Sequence, residues 1–143
     1  ANRTITNRVV IVHDLEQATA ALRAADACNC RVTLRSAPNA ASYLSAGVFN
    51  AMIEAAAQAV PEARFDAVFD CGAEPGLALN ALRHGVKAVR VDVGDDVLRK
   101  VADIAGQLGA AAEPYDDAPV LDLAAEKNEK DPQAACRDWL NAA

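Results

Sequence analysis

The sequence predicts an α/β fold, a mostly parallel sheet of about five strands with helices on both faces. Three observations carry that expectation. Short runs of β-branched and aliphatic residues recur along the chain, and each is followed by a longer segment with apolar residues at helical spacing. The connections between them are short, which implies right-handed parallel crossovers. Bulk composition agrees: 143 residues, 52% hydrophobic and 24% charged, describe a globular chain of ordinary domain length, so residues 1–143 are expected to form a single α/β domain around one core.

The first strand is Arg8–Asp14, whose continuous run Val9-Val10-Ile11-Val12 is the pattern of a strand buried on both faces. A helix follows from Leu15 to about Cys28, with Leu15, Ala18, Leu22 and Ala25 on one face and Asp14 and Gln17 at capping-box spacing. Arg31–Arg35 reads as the second strand and Ser36-Ala37-Pro38-Asn39 as a turn. The second helix is expected over residues 40–60, where Leu44, Val48, Phe49, Met52, Ile53, Ala56 and Val60 recur at helical spacing and Pro61 marks the stop. Phe65–Cys71 is the third strand, Pro75–His84 the third helix with proline in its first turn and Gly85 behind it, and Val86–Val93 the fourth strand. Asp95 and Asp96 are expected to cap a fourth helix running to about Leu108, closed by Gly109. Ala110–Pro119 reads as a linker, Val120–Leu123 as a short fifth strand or equally a turn or extended edge, and Asp131-Pro132 as the start of a last helix that docks through Ala134, Ala135, Trp139 and Leu140. This order fits a flavodoxin-like three-layer sandwich or, alternatively, a (βα) half-barrel.

Charge and composition exclude several partners. A formal charge of −6, with arginines and lysines scattered singly, argues against nucleic acid. The helix at 40–60 is long, yet it carries Asn50, Glu54 and Gln58 and is built largely from alanine, which argues against a membrane span. So little charge leaves two faces to hide. One is expected on the sheet, and the alanine-rich other (Ala41, Ala51, Ala55) against a second copy of the chain, giving a homodimer. Cys28, Cys30, Cys71 and Cys136 lack the spacing of a zinc knuckle or a thioredoxin-like pair, so reduced thiols in the cytoplasm are the expectation. The polar Ala1–Arg8 stretch does not resemble an export signal.

Ligands of parallel α/β folds bind at the carboxyl ends of the strands. There the sequence places His13 and Asp14 after strand 1, Arg35 and Ser36 after strand 2, Asp70 and Cys71 after strand 3, Asp92 in strand 4 and Asp122 near the last strand. His13 and Asp70 are the candidate acid/base pair, and Asp14, Arg35, Ser36 and Asp92 the candidate ligand-binding residues. If Asp14, Asp70 and Asp92 converge, Asp14 and Asp70 would be candidate ligands of Mg²⁺, although nothing in the sequence requires a cofactor. Cys71 is a candidate nucleophile ahead of the third helix. Cys71-Gly72-Ala73-Glu74-Pro75-Gly76 is a poor phosphate cradle, because Glu74 repels anions and Pro75 lacks an amide hydrogen. Each carboxylate also has a plain structural use, in a helix cap, a loop or an ion pair.

An acid ending strand 3 with another after strand 1 looks similar to the phosphoacceptor receiver domains of two-component signalling. The detail departs from that pattern. Receivers have an acidic pair after strand 1, Ser or Thr ending strand 4 and Lys after strand 5, where this chain has His13-Asp14, Val93-Gly94 and a distant Lys127. Two functions are therefore expected to compete. One is a protein or enzyme of lyase, isomerase or hydrolase type that binds a small metabolite at the strand ends. The other is a non-catalytic homodimeric binding or assembly module.

Overall fold

A computed structural model describes residues 8–142. Of the polar opening stretch, residues 1–7 lie outside the described residues. Six strands and six α-helices are present among the described residues, and every strand pairing within the two compact units described below is parallel. None of the helices is long and apolar enough to cross a membrane.

The first unit takes in residues up to Arg35, Met52–Asp66 and residues from Ala118 onward. Its middle strand is β1 (Val9–Ile11), flanked by β2 (Arg31–Arg35) and β6 (Val120–Asp122). Ile11 sits opposite Arg35 on one side and Asp122 on the other. Helix α1 (Leu15–Cys28) starts where the sequence says it should: Asp14 accepts the Gln17 amide at 2.8 Å, and the Gln17 side chain reaches back to the His13 amide at 2.9 Å. The pair satisfies one amide hydrogen that the first turn leaves over, that of Gln17, and the amide of His13 just ahead of the cap. The helix stops at Asn29, which takes the left-handed conformation (φ 54°) that asparagine tolerates better than most residues. The alanine face of α1 lets α6 (Pro132–Asn141) lie close along it, capped by Asp131 and begun by Pro132 as expected. Val10, Val12, Leu22, Val32, Leu34, Leu123 and Leu140 fill the core between strands and helices.

On the rim of this unit Arg31 grips Asp66 with two hydrogen bonds, Nε to Oδ2 at 3.0 Å and Nη2 to Oδ1 at 2.7 Å. The Arg31 bond and charge hold the Asp66 carboxyl below the ordinary carboxylate range against the opposing effect of partial burial. Asp66 is half exposed, so Asp66→Asn is expected to cost less than about 1 kcal/mol at neutral pH. The depressed folded-state pKa fixes the sign: the contribution is complete above the unfolded pKa, near 4, and is lost as pH falls through the folded value. Urea melts of the two proteins should therefore converge on acidification; a gap that widened in acid would refute the assignment.

The second unit comprises Ser36–Ala51 and Ala67–Asp117. Strand β3 (Arg64–Asp70) enters it from residue 67, and β3, β4 (Ala88–Val91) and β5 (Ala111–Pro114) lie side by side. Because each step moves the same way, right-handed crossovers put α3 (Pro75–Arg83) and α4 (Asp95–Gln107) on one face, where they pack together. Phe49 stacks on Phe69, ring centroids 4.7 Å apart, with both side chains buried.

Four details differ from the sequence reading. The helix expected over 40–60 is broken: Asn39 turns left-handed (φ 60°), residues 40–42 form a 3-10 turn, and α2 runs only Ala46–Ala59. Ser45 is the reason, since its Oγ takes the Val48 amide at 3.1 Å and caps the helix there. Ala111–Pro114, expected as linker, is β5; pairing with β4 overrides the poor strand propensity of Ala-Ala-Glu-Pro. Helix α4 is preceded by Gly94, and Asp95 and Asp96 occupy its first turn, where they meet the positive end of the helix dipole without capping it. A short α5 (Glu126–Glu129) follows β6.

Candidate functional site

In the first unit, the carboxyl ends of β1 and β6 bring His13 to Asp122. The strand partners Ile11 and Asp122 are in register, Leu123 continues the ladder by bonding to the Ile11 carbonyl, and His13, two residues past Ile11, extends from the same edge. Its Nε2 lies 2.7 Å from Asp122 Oδ1. Asp122 is itself fixed: Oδ1 accepts the Ala124 amide at 2.9 Å, and its main-chain oxygen accepts the Asn128 side-chain amide at 2.9 Å. A carboxylate held this firmly sets the ring's orientation and tautomer. The pair remains open to a ligand, with His13 and Asp122 side chains 32% and 43% exposed. Asp14 beside it is occupied as the α1 cap, and Arg35, buried at the end of β2, accepts the Val12 amide on its carbonyl. Beyond Asp122 lies a shallow, open concavity of about 600 Å³ lined by Ala125, Glu126, Lys127 and Lys130.

In the second unit the carboxyl ends of β3 and β4 hold a buried polar knot. Asp70, 1% exposed, accepts three hydrogen bonds on Oδ1: from the Asn39 amide (2.9 Å), the Gly72 amide (2.9 Å) and the Tyr115 hydroxyl (2.6 Å). Its strand partner Arg90, 5% exposed, has Nε 3.7 Å from Asp70 Oδ2. The Arg90 guanidinium also lies 4.5 Å from the Tyr115 ring and donates to the carbonyls of Pro114 and Asp116. Gly72 fits this turn because it has φ +58° and because a Cβ there would come within 2.4 Å of the Asn39 side chain. Burial first, then the bond to Asp70 and its charge, push the Tyr115 phenol pKa up, so Tyr115 serves as a donor and is poorly suited to act as a base.

The sequence candidates thus fall into two groups. His13 and Asp14 share the first unit with Arg35; Ser36, Asp70 and Asp92 belong to the second. Ser36, buried, accepts the Asp70 amide at 2.8 Å and braces the strand end. Asp92 is exposed and bonds through its amide to Gly72. Burial, and behind it the Asp70 charge, push the Cys71 thiol up to about 12, opposite to the shift an attacking thiolate needs. Among the described residues no group of three or more His, Cys, Asp or Glu side chains is placed to hold a metal ion. Arg90 and Tyr115 were missed. The one available signal was an arginine inside an apolar strand, Val89-Arg90-Val91, which must find a buried partner.

The molecule belongs, then, to the α/β class with parallel strands and polar groups gathered at their carboxyl ends. No family model matches the chain, and no curated protein matches it. Among solved structures it is similar to a protein of Coccidioides immitis provisionally named fructose-1,6-biphosphate aldolase, with a TM-score of 0.64 and 18% identity over 77% of this chain. The match takes in 41% of that chain, so this chain spans about two fifths of its neighbour's length. At that identity the likeness is one of fold.

Proposed function

We propose that this protein binds a small polar metabolite at the carboxyl ends of β1 and β6 and moves a proton with His13, oriented by Asp122. The single observation that carries the reading is the 2.7 Å contact between a half-exposed imidazole and a braced carboxylate on neighbouring strand ends. It supports proton-transfer chemistry of lyase, isomerase or hydrolase type, and the aldolase name of the solved neighbour is compatible with the first of these. Asp70, the partner first expected for His13, serves in this proposal as the buried anchor of the second unit.

The test is thermal stability against a panel of small carboxylated and phosphorylated metabolites, since a ligand of the native state raises the melting temperature by mass action. A ligand whose shift is lost in both His13→Ala and Asp122→Asn is the expected result. A shift that survives both substitutions sinks the proposal.

A second observation favours self-association, a role compatible with the first. Tyr43 (72% exposed) precedes α2, whose first turns present Val48 (56% exposed) with the exposed small residues Gly47 and Ala51. A second copy of the chain packing on this face would give the homodimer, in a reducing, cytoplasmic setting consistent with its buried thiols. Sedimentation velocity should show a dimer that Val48→Glu dissociates; a monomer at every concentration rules this out.

A further inference from the structure

We propose that the concavity beside α5 is an anion subsite, taking a carboxylate or phosphate group of the ligand on Lys127 and Lys130; this rests on the reading of His13 and Asp122 given above. The chain has a formal charge of −6 and four lysines in all, and two of them line this one depression. Its volume, about 600 Å³, lies within the range of small-molecule sites. Glu126 also lines the depression, so two of its three charged lining residues are basic, in a chain of 14 basic and 20 acidic side chains. Lysine is a compact point charge suited to either anion.

The depression is tied to the dyad by hydrogen bonds. Ala125, part of its wall, donates its amide to the Asp122 main-chain oxygen at 3.1 Å. Asn128, 7% exposed, donates its side-chain amide to the same oxygen at 2.9 Å. A buried amide is costly unless it is bonded, and this one clamps the turn carrying both lysines to the end of the strand that carries Asp122. Substrate charge and proton transfer would thereby be held in fixed relation, which is what orientation requires of a site.

The experiment follows backbone amide resonances of the full chain at constant ionic strength, titrated with inorganic phosphate and separately with succinate. Saturable shifts confined to residues 125–130, weakened about tenfold in Lys127→Ala/Lys130→Ala, are expected. The tighter of the two anions tells phosphate from carboxylate. Shifts that stay linear in concentration, spread equally to Lys87 and Lys100, or ignore the double substitution overturn the proposal. The parent reading is followed in the same samples through the hydrogen-bonded His13 Nε2 proton, expected to vanish in Asp122→Asn. Its absence from the unsubstituted protein would sink the dyad while leaving saturable phosphate shifts to support the subsite; its presence beside linear phosphate shifts would sink the subsite alone.

Discussion

Asp70→Ala is expected to destabilise the protein by about 3–5 kcal/mol, the range for removing one partner of a buried ion pair. The loss has two sources. Arg90 keeps its charge at 5% exposure with its buried carboxylate gone, and only the more exposed Glu113 and Asp116 carboxylates, each 3.7 Å away, remain to offset it. The Asn39 and Gly72 amides and the Tyr115 hydroxyl lose a shared acceptor, and each buried donor left unsatisfied costs about 1–3 kcal/mol before relaxation. These terms overlap, so their sum is an upper limit. Asp70→Asn retains a carbonyl oxygen for the amides and should cost less, which separates the charge from the acceptor. Urea denaturation measures both; a cost below about 1 kcal/mol for Asp70→Ala would mean the knot is not the anchor described above.

Phe49→Ala should cost a comparable amount, about 3–5 kcal/mol, because the ring is buried and stacked on Phe69 and its removal leaves a cavity. The neighbouring Val48 supplies the control. Its side chain is more than half exposed, about 100° around the helix from Phe49, and in the monomer Val48→Ala should stay within about 0.5 kcal/mol. Equal costs at the two positions would contradict the facing of α2.

What could be read from the sequence was whatever depended on near neighbours along the chain. Strand 1 was visible in Val9-Val10-Ile11-Val12, and the α1 cap in Asp14 and Gln17, because those signals lie within a turn or a strand of one another. The break in the second helix was less visible, since Ser45 lies within a run of apolar positions that suit a longer helix. His13 stood out as a strand-end histidine and Asp122 as an acid near the last strand, but their pairing did not: they are 109 residues apart, and Asp122 lies in a strand of three residues that pattern alone barely distinguishes from a turn. Tyr115 was hidden for the same reason, in a stretch whose extended form comes from pairing with β4 rather than from its own propensity.

The position of β6 beside β1 has a consequence for how the molecule is made. The second unit is assembled from residues that all precede Ala118, so its strands can pair while the tail of the chain is still being synthesised. β1 cannot acquire its second neighbour until residues 120–122 have been released, and His13 waits with it for Asp122. A nascent or proteolytically shortened chain that lacks β6 therefore has no dyad, so the site arises only in molecules whose synthesis has passed β6.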